Sequence, residues 1–271
     1  EENAYGWHAA PPFDKLSGEK AKGSSGRPRY QKVFGRGLRE MGRKYPEICV
    51  ITAGMPDGTS TDMFGEEFPD RFFDVGIAEA HGVTAAAGMA TQGVKPLVCI
   101  YSTFLQRAFD SIVHDVALQD LPVLFCMVRD GIAGPDGPTH HGILDISYML
   151  MIPGMTVTAP KDGAEMLALV RLGIEHDGPY SCRWPRDAVP AAVPPLDDIP
   201  GVEYGTWEVL RRGADLALLA VGSMVGTALD AAGELSAAGI EVTVVNCRFL
   251  KPYDAGVLEE VARGHRKILT L

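Results

Sequence analysis

Lys95-Pro-Leu-Val-Cys-Ile100, a segment of helical spacing over 103–118, and then Pro122-Val-Leu-Phe-Cys-Met-Val128 form the stretch that decides the fold. Strands covered on both faces lose the polar alternation of a half-exposed strand, so two almost wholly apolar runs flanking a helix-length segment read as parallel neighbours in one sheet. The intervening segment places Phe104, Ala108, Ile112 and Val116 on one stripe, the face a covering helix would bury. The same alternation continues outward. Ile48-Cys-Val-Ile-Thr52 precedes it, Met155-Thr-Val-Thr158 and Tyr180-Ser-Cys182 follow, and helical patterns occupy 30–45, 77–92 and 162–175. The fold class is therefore α/β, a parallel sheet covered by helices on both faces.

Residues 1–28 are rich in Gly, Pro, Ser and Lys and carry no periodicity, the composition of a linker arm. Tyr5, Trp7 and Phe13 give that arm an apolar cluster suited to lying on a surface. An α/β domain over 29–190 ends at the proline-rich joint Val189-Pro-Ala-Ala-Val-Pro-Pro195. Over 191–271 a second small α/β unit begins, with strands at Leu216 to Val221 and Val242 to Cys247 and helices near 224–238 and 254–263. Its last strand, Lys267 to Leu271, stops with nothing to cover its edge, so this unit reads as incomplete and both chain ends read as cut.

The 271 residues are 46% hydrophobic and 22% charged, ordinary for a globular protein. A net charge of -10 and a pI near 5.2 argue against nucleic acid, because phosphate binding needs lysines and arginines clustered on one face. No apolar run reaches the roughly 18 residues of a membrane helix. Cys49, Cys99, Cys126, Cys182 and Cys247 are dispersed, form no CxxC and fall in or beside apolar runs, the pattern of reduced core thiols in a cytoplasmic protein.

Chemistry concentrates at four places. In Val75-Gly-Ile-Ala-Glu-Ala-His-Gly-Val-Thr-Ala-Ala-Ala-Gly-Met-Ala90, Glu79 is the one acidic residue in a helix built of small side chains. A surface helix would carry several charges, and burying a lone carboxylate is costly unless it is hydrogen-bonded or protonated, which marks Glu79 as a candidate catalytic carboxylate. The competing reading is an acidic residue favoured at a helix N-terminus by the macrodipole. Tyr101-Ser-Thr-Phe-Leu-Gln-Arg-Ala-Phe-Asp110 follows a strand end, where ligands of open α/β sheets gather. There Arg107, Asp110 and His114 share a face, and a surface ion pair of Arg107 with Asp110 is the plain expectation.

The loop from Arg129 to Gly142 holds four Gly, two Pro, two His, two Asp and one Arg, too long and too polar for a mere connector. Adjacent His140 and His141 diverge and have no third ligand near, so acid–base or substrate work suits them better than a metal. Arg183-Trp-Pro-Arg186 leaves the next strand with an arginine placed for a carboxylate or phosphate, or for an interdomain ion pair. No GxGxxG, P-loop, GxSxG or HExxH is present.

Met55-Pro-Asp-Gly-Thr59, the run from Phe68 to Glu79, Ile100-Tyr-Ser-Thr-Phe-Leu-Gln-Arg-Ala108 and Asp136-Gly-Pro-Thr-His140 together resemble the 1-deoxy-D-xylulose-5-phosphate synthase family, thiamine diphosphate enzymes of the transketolase superfamily. The resemblance implies a pyrimidine-binding domain, a linker whose His8 to Asp14 segment joins it to a separate diphosphate-binding domain, and the start of a C-terminal domain. Glu79 matches the glutamate that hydrogen-bonds the aminopyrimidine ring nitrogen of the cofactor, with Ile77 and Phe104 against the ring. His140 matches a histidine of substrate binding and proton transfer, beside Asp136. Tyr101, Arg107, Arg129 and Arg186 match positions around the acceptor substrate, where arginines meet its phosphate.

The resemblance further implies pyruvate and glyceraldehyde 3-phosphate as substrates, Mg²⁺ held by the other domain, and a homodimer. Transketolase itself, the β chain of 2-oxo-acid dehydrogenases and a non-catalytic binding domain are the alternatives. The chain departs from the family pattern at Ala80, Gly82, Val128, Asp130 and His141, and Asp130 is expected to set a negative charge beside Arg129.

Overall fold

The computed structural model describes residues 13–19 and 26–271. Tyr5, Trp7 and the stretch 8–12 of the expected arm lie outside the described residues, and Phe13 stands exposed rather than packed. Helix α1 (Tyr30–Lys44) leads into β1 (Ile48–Thr52), β2 (Phe72–Asp74), helix α2 (Glu79–Ala90) and β3 (Lys95–Tyr101). After β4 (Leu124–Asp130) come α3 (Asp145–Met151), β5 (Thr156–Thr158), α4 (Gly163–Glu175) and β6 (Tyr180–Pro185). The second unit contains β7 (Glu208–Arg211), β8 (Leu216–Ala220), α5 (Met224–Ala237), β9 (Val242–Asn246), β10 (Phe249–Lys251), α6 (Ala255–Gly264) and β11 (Ile268–Thr270).

Seven strands form the first sheet in the order β10-β5-β6-β4-β3-β1-β2, parallel throughout except for β10. Every residue of β1 is buried, as are six of the seven in β3 and in β4, which is why these strands read as unbroken apolar runs. One face is covered by α1 and α4, which bury Phe34, Leu38, Met41, Leu167 and Leu169, with the Phe34 and Trp184 rings 4.7 Å apart. The other is covered by α2 and the stretch 102–119, which bury Val83, Ala86, Ala108, Ile112 and Val116.

The stretch expected as one helix over 103–118 is instead segmented. It passes from α turns through a 3-10 turn at Gln106–Ala108 to a π turn at Ile112–Val116. The buried stripe survives, because i,i+4 spacing is kept, although Phe104 is only partly buried.

The second sheet runs β11-β8-β9-β7, with β7 antiparallel to β9. Strand β10 leaves this unit and pairs antiparallel with β5, so the two units share an edge. A polar knot ties them further. Buried Asn246 donates from Nδ2 to Glu165 Oε1 at 2.8 Å, and Lys161 Nζ bridges Glu165 at 3.2 Å and Glu208 at 2.8 Å. Burying these charges is tolerable because each meets an opposite charge and a hydrogen-bond partner.

Candidate active site

The carboxyl ends of the parallel strands converge on a cavity of about 560 Å³. After β1, the chain from Ala53 to Gly58 forms one wall. The turn after β2 brings Ile77 and Glu79, β3 ends in Tyr101, Arg107 lies on the following stretch, and Arg129 and Arg186 stand at the ends of β4 and β6. Phe104, Asp136 and His140 complete the lining, so the structure gathers all nine residues matched through the family resemblance, while Asp110, His114, His141 and Arg183 lie outside the lining. This is the crevice at the carboxyl edge where open α/β sheets bind ligands.

Glu79 is the first residue of α2 and only 3% exposed. Both sequence readings meet here, since it is an acidic residue in a first helical turn and also buried in the cavity wall. Its Oε1 accepts a 2.7 Å bond from Arg107 Nη1, so the carboxylate is not alone. Arg107 therefore does not form the expected surface pair with Asp110. The chain turns through a 3-10 segment at Arg107, swinging the guanidinium back over Phe104, 5.1 Å from the ring centroid, and onto Glu79. Its side chain keeps 57% exposure. Ile77, by contrast, is an apolar side chain left 85% exposed on the cavity wall.

Aromatic rings make the floor. Tyr101 and Phe104 stack at 5.6 Å, and the His140 ring meets Phe104 edge-on at 5.2 Å. Burial pushes the Tyr101 phenol up, against the pull of the Arg129 guanidinium, which lies 4.1 Å over its ring. His140 Nδ1 is bonded to Thr139 Oγ1 at 2.9 Å, which leaves Nε2 free of partners among the described residues.

At the opposite end, Asp136 Oδ2 is shared by two arginines, bonded to Arg129 Nη1 and 3.1 Å from Arg186 Nε. Arg129 itself has φ of 63°, the left-handed region that a non-glycine residue occupies at a cost of order 1 kcal/mol. The next turn is closed by Gly131 and Gly142, each donating its N–H to the other's carbonyl at 2.8 Å. That closure holds the loop carrying Asp136 and His140 as one unit.

Asp130 does not face the cavity beside Arg129, as the sequence led us to expect. The backbone turn at Arg129 sends it inward, where it lies 3.1 Å from Arg183 Nη1, while Arg183 Nε donates to Asp145 Oδ2 at 2.9 Å. Burial pushes the Asp130 carboxyl up to about 6, against the lowering effect of Arg183, and neighbouring Asp145 adds to the rise. Arg183 thus answers two buried acids, and Arg186 alone of that pair reaches the cavity. The wall from Ala53 to Gly58 was not assigned a role from sequence, although its signal, Met55-Pro-Asp-Gly-Thr59, was in view. Among the described residues, no group of three or more His, Cys, Asp or Glu is arranged to hold a metal ion, and no helix is long and apolar enough to cross a membrane.

Residues 27–191 match the family model of the transketolase pyrimidine-binding domain, and 205–271 match that of the transketolase C-terminal domain. The chain is 46% identical over 270 residues to 1-deoxy-D-xylulose-5-phosphate synthase 1 of Geobacter sulfurreducens, covering 100% of this chain and 42% of that protein. It is 50% identical over 244 residues to the 1-deoxy-D-xylulose-5-phosphate synthase of Dictyoglomus thermophilum, covering 90% and 39%. It thus spans about two-fifths of the length of these curated relatives. Among solved structures, a split gene transketolase described as an inactive beta4 tetramer is similar, with a TM-score of 0.81, 35% identity, and coverage of 90% of this chain and 80% of that one. A Pichia stipitis transketolase shares the fold at 20% identity with a TM-score of 0.76, covering 92% of this chain and 39% of that one. The chain therefore belongs to the transketolase family.

Proposed function

We propose that the chain is the pyrimidine-binding part of a thiamine-diphosphate-dependent synthase that decarboxylates pyruvate and transfers the two-carbon unit to glyceraldehyde 3-phosphate, giving 1-deoxy-D-xylulose 5-phosphate. One observation carries this reading. A buried carboxylate, an exposed isoleucine and an aromatic floor stand at one end of a cavity whose other end is set with two arginines, the layout needed for a heterocycle and an anionic substrate side by side. The names of the curated relatives support the specific reaction.

The residues fit the cofactor. Glu79 Oε2 makes no hydrogen bond to a described residue, so one oxygen remains for a ring nitrogen while Arg107 holds the other. Ile77 and Phe104 would bear on the ring, and a ligand there would cover the exposed Ile77 side chain. When bound, thiamine diphosphate supplies the carbon nucleophile and the electron sink for decarboxylation. Glu79 would hold a proton at the pyrimidine nitrogen, His140 Nε2 would serve proton transfer at the substrate, and Arg129 and Arg186 would meet the acceptor phosphate while Tyr101 lines its path.

The diphosphate and Mg²⁺ would be held by a diphosphate-binding half supplied by the same polypeptide or by a separate one. The similarity to a split gene transketolase supports the second arrangement. We further infer a homodimer in the cytoplasm, a compartment that suits five buried, unpaired cysteines. The test is turnover of pyruvate and glyceraldehyde 3-phosphate by the complete protein with thiamine diphosphate and Mg²⁺. Glu79→Ala is expected to lose nearly all of it, and unchanged turnover in that variant overturns the assignment. Calorimetry separates the synthase from a non-catalytic domain, which would bind no cofactor.

A further inference from the structure

Asp74 closes β2 at the sheet edge, and its side chain is turned toward the chain rather than used for an ion pair. One oxygen, Oδ1, accepts from the backbone N–H of Gly54 at 2.7 Å and from that of Gly76 at 3.0 Å. These two glycines sit on different strand ends. Gly54 follows β1 and lines the cavity, while Gly76 lies in the turn that delivers Ile77 and Glu79. Both have positive φ, 74° and 67°, a conformation in which local propensity gives little help and a fixed hydrogen bond decides which way the N–H points. The backbone bond from Val75 N to Thr52 O runs alongside, so the two strand ends are pinned twice. At that spacing the Ile77 side chain comes within ordinary van der Waals distance of a Cβ position at Gly54.

We propose that Asp74 is a positioning residue: its carboxylate staples the β1 end to the turn before α2, and so sets the distance between the Gly54 wall and the Ile77–Glu79 pair that would receive the cofactor ring. The proposal rests on the functional reading above for what is positioned, but the staple itself is a property of the folded chain. Because both bonds land on a single oxygen, Asp74→Asn keeps the acceptor and loses only the charge. Asp74→Ala loses both bonds. Asp74 is exposed, so neither change leaves a cavity in the core or an orphaned buried charge.

The experiment compares the complete protein with its Asp74→Ala and Asp74→Asn variants in two measurements. Amide hydrogen exchange without ligand is expected to show Gly54 and Gly76 losing at least about tenfold protection in the alanine variant. The amides of Phe125 and Cys126 in mid-β4 should stay unchanged, and the asparagine variant should stay near the parent. Thiamine diphosphate titration should then show at least about a tenfold weaker dissociation constant for the alanine variant, restored to within about threefold by asparagine.

Equal protection at Gly54 and Gly76 in parent and alanine variant overturns the staple. So does an asparagine variant as impaired as alanine, because charge rather than the bonded oxygen would then be at work. A loosened staple with unchanged cofactor affinity overturns the positioning role. A parent that binds no thiamine diphosphate overturns the functional reading instead, and the exchange result still decides the staple.

Discussion

A single methyl group at Gly58 tests how tightly the cavity wall is built. A Cβ there would overlap the Tyr101 hydroxyl oxygen and lie 2.7 Å from its Cζ, contacts that no side chain tolerates. Tyr101 is held in place: it is 7% exposed, stacked on Phe104 and covered by the Arg129 guanidinium. Gly58 sits in the short helix Pro56–Thr59, where alanine is intrinsically better than glycine by about 1 kcal/mol. Propensity alone therefore predicts that Gly58→Ala stabilises the protein. Overpacking costs about 1–3 kcal/mol, and a clash with a pinned ring belongs at the upper end, so the net expectation is a loss of about 2 kcal/mol. For a chain of this size that is a fall of roughly 4–8 °C in Tm.

Removing the hydroxyl with Tyr101→Phe relieves the shortest contact but leaves Cζ too close. The Gly58→Ala cost should then shrink by about 1 kcal/mol rather than vanish. Urea unfolding of the parent, the two single variants and the double variant gives the coupling directly. A Gly58→Ala protein as stable as the parent, or four values additive within about 0.3 kcal/mol, refutes the packing of this wall.

Three further outcomes are expected. Asp130 has its folded-state carboxyl raised to about 6 from 3.8, so the folded chain keeps a proton that the unfolded chain gives up, and this group's contribution to stability declines as pH rises from about 4 to 6 and is flat above. Asp130→Asn, measured against the parent by urea unfolding, should gain relative stability across that window by up to about 3 kcal/mol, and a pH-independent difference would contradict the burial of that charge. Burial pushes the thiols of Cys49, Cys182 and Cys247 up to about 12 and that of Cys126 well above its ordinary value, and all five cysteines are buried, so a thiol reagent at neutral pH should label none of them until denaturant is added. Ile77→Ala should weaken cofactor binding by about ten- to hundredfold in calorimetry, since a side chain this exposed gains about 1.5–3 kcal/mol when a ligand covers it; equal affinities would place the ring elsewhere.

Which parts of this molecule its sequence announces follows from how each part is made. Strands β1, β3 and β4 are buried on both faces, and no arrangement of polar residues would disguise Ile48 to Thr52 or Leu124 to Val128. Strands β2, β7 and β10 escape notice because three or four residues carry no period, and β10 exists only because Phe249 and Lys251 find β5 across the unit boundary. The stretch 102–119 shows the opposite case, where side-chain spacing is legible but the hydrogen-bonding pattern beneath it is not. Membership of the cavity was legible for all nine residues through the family resemblance, and the segments that carry them lie at or follow the carboxyl ends of β2, β3, β4 and β6. Their pairing was not, since Arg107 reaches Glu79 through a 3-10 turn and Asp130 turns away from Arg129 through one left-handed residue.

That pairing separates the two ends of the cavity energetically. At the Glu79 end, Arg107 is more than half exposed and its guanidinium is hydrated, while the buried Glu79 carboxylate has one oxygen bonded to it and the other free among the described residues. A ring nitrogen arriving at the free oxygen of Glu79 would leave that bond in place. At the other end Arg129, Arg186 and Asp136 are each less than a fifth exposed, and two cations share one carboxylate. The trio carries one net positive charge in a partly desolvated place, where the field of an unneutralised arginine is strong. An incoming anion need not dismantle the trio to be attracted, because the surplus charge is already there. Polarity is thus built into the cavity before any ligand enters, with a half-satisfied buried carboxylate at one end and a surplus positive charge at the other. A molecule bound the wrong way round would set its anion against Glu79 and leave the Arg129–Arg186 pair unanswered.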